Sequence, residues 1–342
     1  NLKRVSRRMV DMRWFRVPPQ IYFEPGCLDT FFKHELRQMS VQRAMIVCSG
    51  SAVRLGTTQR IERYLHDAGA TTTVFSDVQP DPTVETVEKG AQAMRRFEPD
   101  LIVALGGGSP MDAAKAMWVL YEHPDMDFAQ MRMRFVDIRK RVVRYPKLGH
   151  KSKMIAIPTT SGTGAEVTAD AVVTDTATGT KYPLADYELV PDVVIIDPNL
   201  TMSVPASITA DTGFDVLTHA IESYVSVVAS DYTDPLAIKA IQLVMQYLPR
   251  AYRDPDDALA REKMHNASTI AGMSFTNAFL GINHCMAHIL GATFHIAHGR
   301  ANAVVMPAVI RYNAALPSKF VSYPKYRYPQ AAHRYAEIAE AL

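Results

Sequence analysis

The stretch LIVALGGGSPMDAAKAMW, Leu101 to Trp118, decides the reading of the fold. Leu101–Leu105 is an uninterrupted apolar run, the pattern of a strand buried on both faces. Gly106-Gly107-Gly108 follow at once, and Met111–Tyr121 then carries a helical pattern. A strand, a glycine turn and a helix start in that order gather free backbone N–H groups and the positive end of a helix dipole at one point. That is a cradle for an anion. Ser109 suits the N-cap, Pro110 the first helical position and Asp112 the first turn. The spacing is neither Gly-x-Gly-x-x-Gly nor a P-loop, so a tight structural turn stays open beside a phosphate site. Lys115 lies within reach of the same helix start, either as a phosphate partner or as a surface lysine.

The same alternation extends on either side. Arg43–Ser49 and Thr71–Phe75 read as strands, and Thr57–Ala68 and Thr83–Phe97 as helices, with Gly69 placed as the glycine that ends the first of them. Met154–Ile157, Ala171–Thr174 and Val193–Ile196 are further strands. The βαβα order predicts a parallel sheet with helices on its faces. After Asp197-Pro198-Asn199 the pattern changes, and Pro205–Leu342 shows helical periods and no strand. The expectation is α/β plus all-α, a Rossmann-like domain over 1–200 and a helical domain over 201–342. A second hydroxyl- and glycine-rich loop, Pro158–Gly164, follows a strand, where ligand contacts or an ordinary polar loop are equally served.

The bulk properties exclude several classes. There are 37 Lys+Arg against 35 Asp+Glu in 342 residues, which gives no electrostatic reason to expect nucleic acid as partner. No stretch approaches the ~20 apolar residues of a membrane span. Asn1–Met9 is basic but leads into no apolar core, so it reads as linker and not as signal peptide. Cys27, Cys48 and Cys285 show no paired spacing and fit reduced thiols in the cytoplasm. The basic run 132–147 reads as a solvated insertion or as a contact surface for another domain or subunit.

Histidines concentrate in one place. Of 11 in the chain, His284, His288, His295 and His298 fall within NHCMAHILGATFHIAHG, Asn283 to Gly299. Asp215 and His219 stand four apart, as do His284 and His288, so each pair shares a helix face. A carboxylate with several imidazoles is a metal-ligand chemistry, and by spacing alone His284 and His288 are the pair to expect as ligands.

The motifs ALGGGSPMDAAKAMW (104–118), PTTSGTGAEVT (158–168), KYPLADYELVPD (181–192), GFDVLTHAIESYVS (213–226) and FLGINHCMAHILGATFHIAHGRANA (279–303) together resemble the iron-activated alcohol dehydrogenase family. The likeness is greatest to the alcohol dehydrogenase half of bifunctional aldehyde/alcohol dehydrogenases. It implies a dehydroquinate synthase-like fold, with Asp215, His219, His284 and His298 as ligands to Fe(II), although zinc competes by intrinsic affinity. His288 then becomes an active-site histidine near the nicotinamide, in place of the ligand that spacing suggested. The resemblance puts Gly107, Gly108 and Ser109 on the pyrophosphate, and Thr159, Thr160 and Lys181 along the cofactor cleft. The implied reaction is reduction of a short-chain aldehyde, acetaldehyde foremost, by NAD(H).

The chain departs from that pattern in two ways. Ser49-Gly50 stand where close relatives carry an acid against the ribose, which opens the site to NADP(H). The helical domain also ends early, so a truncated domain, 1–18 as interdomain linker and an N-terminal aldehyde dehydrogenase domain are expected. The relatives' assembly implies a homo-oligomer or filament. A dehydroquinate synthase-like lyase and an assembly module are the competing readings.

Overall fold

The computed structural model describes residues 15–132, 145–315 and 330–342. Most of the expected linker and most of the basic run 132–147 lie outside these residues. The elements in chain order are strand β1 (Gln20–Phe23), helix α1 (Cys27–Thr30), β2 (Arg43–Cys48), α2 (Gly50–Arg54), α3 (Thr57–Asp67), β3 (Thr71–Phe75), α4 (Val84–Phe97), β4 (Leu101–Gly106), α5 (Gly108–Glu122) and α6 (Phe128–Met131). Then come β5 (Lys153–Pro158), β6 (Asp170–Asp175), β7 (Thr180–Ala185), β8 (Val193–Ile196), α7 (Ala206–Val225), α8 (Asp234–Arg253), α9 (Ala258–Ala278), α10 (Ile282–Phe294), α11 (His298–Ala314) and α12 (Ala331–Ala341).

Six strands form one parallel sheet in the order β1-β8-β5-β4-β2-β3, and β6 and β7 pair antiparallel beside it. The central strands are apolar on both faces because both faces are covered. Met45, Val47, Ile102, Ala104, Met154 and Ala156 face α4 and α5 on one side. Their neighbours Ala44, Ile46, Val103, Leu105, Ile155 and Ile157 pack on Phe31, Phe32, Ile61 and Leu65 on the other. A third core lies wholly among helices, with Val216, Ala220, Ile241, Val244 and Met264 at its centre. The last sheet strand ends at Ile196, and every regular element described after residue 205 is a helix.

The strand order reverses between β2 and β4. The chain leaves β2 for β3 on one side, then returns to lay β4 on the other. Ligands in open parallel sheets bind outside the carboxyl ends of strands at such a reversal. The register sets Cys48 beside Leu105, so Ser49 and the Gly106–Ser109 turn emerge side by side there.

Two sequence readings are corrected here. Helix α5 begins at Gly108 with Gly107 as the N-cap, so Ser109 is not the cap, Pro110 is the third helical residue and not the first, and Asp112 lies past the first turn. The Ser109 hydroxyl instead accepts from the Asp81 amide at 3.3 Å. Lys115 is neither a surface lysine nor a phosphate partner. It is fully buried, and its ammonium donates to Thr168 O (2.7 Å), Thr168 Oγ1 (3.1 Å) and Asp170 O (2.9 Å). Gly69 does close α3, at φ +90° and bonded back to His66 O.

Candidate active site and metal centre

Helix α7 presents Asp215, His219 and Glu222 at intervals of four and three, which puts all three on one face. Helix α10 brings His284 and α11 opens with His298. The three helices converge on the Asp215 carboxylate. Asp215 Oδ1 lies 3.5 Å from His298 Nε2, 3.6 Å from His284 Nε2 and 4.0 Å from His219 Nε2. Ligands about 2.1 Å from a tetrahedral metal stand about 3.4 Å apart, so this spacing fits one ion shared by a carboxylate and imidazoles. The nitrogen of the Asn302 carboxamide underlines the convergence. It donates to Asp215 Oδ1 at 2.8 Å and lies 3.2 and 3.3 Å from His284 Nε2 and His298 Nε2. Among the described residues, Asp215, His284 and His298 form a group able to hold a metal ion.

Burial works against a charged His284, yet its bonds to Asp215 and Glu222 raise its pKa to about 9, so a metal there takes the place of a proton. Burial works against the Asp215 carboxylate, yet the nearby His219, His298 and His284 hold its pKa far below the usual range. Burial, opposed by Asp215 but helped by repulsion from His284 and His298, lowers His219 to about 3, which favours the neutral ring. Burial also lowers His298. His219 is stacked between Phe275 (4.3 Å) and His284 (4.4 Å), which fixes its plane.

The remaining histidines separate. His288, half-buried, lies tilted at 4.8 Å from His298 and stands, like His219, outside the group of three converging donors. Burial first, then His298 and His284, lower it to about 4. His295 is exposed and ends α10 in the left-handed conformation at φ +56°.

The nucleotide side is built from two loops held close together. A Cβ on Gly107 would stand 3.0 Å from Thr160 Oγ1, and one on Gly108 would stand 2.9 Å from Thr163 Cγ2. Only glycine lets the turn lie so near the Pro158–Gly164 loop while its N–H groups stay open. Thr159 N donates back to Gly106 O at 2.9 Å. Ser49 Oγ sits 2.7 Å from Ser51 Oγ. Asp112 turns to the Val172 amide and Lys115, and burial raises it to about 7. Lys181 on β7 pairs with Asp81 at 2.6 Å, and its charge reaches His288 and His298. Asp81, tied to Ser109, therefore links the cradle to the imidazoles.

Spacing missed Glu222, Asn283, Asn302 and Asp81. Asn302 follows His298 by four residues, the interval that singled out Asp215 and His219, so that signal was present.

A nucleotide-type parallel sheet set against a helical wall with one carboxylate and three imidazoles defines a metal- and dinucleotide-dependent class of protein. Residues 18–198 match Iron-containing alcohol dehydrogenase, and residues 209–342 match Fe-containing alcohol dehydrogenase family, C-terminal. The chain belongs to the iron-containing alcohol dehydrogenase family, a family of oxidoreductases.

The aldehyde-alcohol dehydrogenase of Streptococcus pneumoniae is 52% identical over 344 residues, covering 100% of this chain and 38% of that protein. The chain thus spans well under half the length of that relative. The NADPH-dependent butanol dehydrogenase of Clostridium saccharobutylicum is 47% identical, covering 97% of this chain and 78% of that one. Among solved structures, the iron containing alcohol dehydrogenase from Thermococcus thioreducens superposes with TM-score 0.84 at 36% identity, covering 96% of this chain and 81% of that one. The sulfoacetaldehyde reductase from Bifidobacterium kashiwanohense, solved in complex with NAD+, superposes with TM-score 0.80 at 32% identity, covering 96% and 86%. Iron stands in the family's own description, and NAD+ is bound in the Bifidobacterium reductase. Among the described residues no helix is long and apolar enough to cross a membrane.

Proposed function

We propose that this chain reduces a short-chain aldehyde, acetaldehyde foremost, to its alcohol with hydride from NAD(P)H. The observation that carries the reading is the convergence of three imidazole Nε2 atoms on Asp215 Oδ1 at 3.5–4.0 Å. Asp215, His219, His284 and His298 hold the metal, iron by kinship, with zinc as its competitor. Iron held there supplies Lewis-acid polarisation of the carbonyl.

The chain's own residues do the rest. The α5 N-terminus with Gly107, Gly108 and Ser109 binds the pyrophosphate, while Thr159, Thr160 and Lys181 line the cleft. Asp112 buttresses that helix start. As hydride reaches the carbonyl carbon, a proton must reach the oxygen, and His288, beside His298 and half-open to solvent, relays it. Ser49 offers the ribose a hydroxyl without a carboxylate's repulsion, so NADPH is accepted beside NADH. The NADPH dependence named for the Clostridium relative supports this.

The same reading divides the chain into a dinucleotide-binding domain over 1–200 and a helical metal-binding domain over 201–342. The relatives named aldehyde-alcohol dehydrogenase support a partner aldehyde dehydrogenase domain on the same polypeptide, which would deliver the aldehyde; a cytoplasmic homo-oligomer completes the proposal. The test is anaerobic acetaldehyde reduction with NADH and with NADPH, with and without added Fe(II). Turnover that needs iron is expected with both cofactors; no turnover with iron bound would overturn the substrate assignment.

A further inference from the structure

Beyond the ligands lies a buried carboxylate whose position the reaction itself does not require. Glu222 sits one turn after His219 on α7 and is 5% exposed. Its Oε1 accepts from Asn283 N at 2.8 Å, and its Oε2 accepts from His284 N at 3.2 Å and meets the His284 ring at Nδ1. Gly281 makes the approach feasible, since a Cβ there would stand 2.7 Å from Glu222 Oε1. The carboxylate therefore occupies the N-terminus of α10, where the helix dipole favours negative charge.

The consequence is chemical as well as structural. With both oxygens claimed as acceptors by backbone N–H groups, Glu222 can only accept from the imidazole. His284 then carries a proton on Nδ1, which leaves Nε2, 3.6 Å from Asp215 Oδ1, as the nitrogen that a metal would take in place of a second proton. A second chain of bonds completes the frame. Asn283 Nδ2 donates to Asn302 Oδ1 at 2.9 Å, and Asn302 Nδ2 donates to Asp215 Oδ1 at 2.8 Å. The residue whose amide is held by Glu222 thus orients the group that orients Asp215.

We propose that Glu222 is a positioning residue that fixes the tautomer and ring direction of His284 and so sets how tightly the metal is held. The inference rests on the assignment of His284 as a ligand. In Glu222→Gln, an amide nitrogen must face either the Asn283 N–H or the His284 group. If it donates to Nδ1, the ring proton moves to Nε2, where it blocks the metal.

The test measures Co(II) affinity by chelator competition, together with melting temperature with and without Co(II). The proteins are wild type, E222Q, H284A and E122Q. Glu122 is a distant control, because its carboxylate also holds backbone N–H groups, those of residues 149–152. The expected result for E222Q is a dissociation constant raised about 10–100-fold, with a changed Co(II) visible spectrum. E122Q should lower melting temperature equally with and without Co(II) and leave affinity alone. Unchanged Co(II) affinity in E222Q, with loss in H284A, would reduce Glu222 to a helix cap and overturn the proposal. Unchanged affinity in H284A would instead overturn the ligand assignment, and the proposal with it. Should E222Q not fold, E222D keeps the charge on a shorter arm. Weakened Co(II) binding in E222D supports the proposal, and wild-type affinity contradicts it.

Discussion

Asp215 carries one negative charge into a buried ring of imidazoles, and at the scale of single residues the molecule is organised around that charge. His284→Ala or His298→Ala should each lose bound iron, measured by metal content after anaerobic gel filtration. His288→Ala should keep the iron and lower kcat, by about 10²-fold or more if it moves the proton in the rate-limiting step. Loss of iron from the His288 variant would make it a ligand after all, as the four-residue spacing first suggested. Ser49→Asp should raise the KM for NADPH, about 10-fold or more, and spare NADH, by placing a carboxylate against the 2′-phosphate. The Asp215–His219 pair was legible because helical spacing puts chemically suited residues on one face, whereas the same spacing chose His288 beside His284, and His298 entered only through the family resemblance. Glu222 was not legible, because its role exists only once α7 and α10 meet. Lys115 was misread for a related reason. A lysine in an apolar helix declares its burial only when the backbone acceptors at Thr168 and Asp170 are in place.

At the scale of elements, the clearest readings came from the buried strands. Val193–Ile196 matches its expected bounds, and Thr83, read as the first residue of its helix, is the N-cap of α4. The edge strand β1 and strand β7 went unread. QIYF mixes exposed and half-buried positions, and TKYPLA holds a proline, so neither shows an apolar run.

Two elements make further predictions. The turn at 149–152 hangs on Glu122, which also accepts from Trp118 Nε1 at 3.0 Å. Glu122→Ala should cost on the order of 3 kcal/mol, read from urea unfolding. Helix α9 holds His265, fully buried, with Nδ1 3.0 Å from Ser161 Oγ and Nε2 without a hydrogen-bond partner among the described residues. Burial lowers its pKa from 6.5 to about 4. Above the unfolded value both states are neutral, and the contribution to stability is whole. As pH falls from 6.5 towards 4, the unfolded chain takes up the proton first, and on the order of 3 kcal/mol is lost. With chelator present, wild type should therefore lose melting temperature faster than His265→Gln across that window. Parallel profiles would mean that the imidazole is hydrated in the folded state.

At the scale of the whole molecule, the sheet's carboxyl edge and the helical wall are joined by short polar bonds. Ser161 meets His265, Thr269 Oγ1 donates to Glu166 at 2.7 Å, and Ala169 N donates to Thr276 Oγ1 at 2.8 Å. All three fix the Pro158–Gly164 loop and its continuation against α9, between the cradle and the metal centre. The general plan was legible from the change of periodicity near residue 200 and from the glycine turn. The approach of the two loops was not, since Gly108 reveals its purpose only against Thr163. The proposed function requires one iron, held by Asp215 and three imidazoles, to serve the hydride transfer. The most direct measurement is an anaerobic Fe(II) titration of the metal-free protein, following acetaldehyde reduction by NADH in wild type and Asp215→Ala. The account predicts activity that rises to a plateau at one iron per chain in wild type and stays at the metal-free level in the variant. Iron-dependent turnover that survives the loss of Asp215, or full turnover without metal, would contradict it.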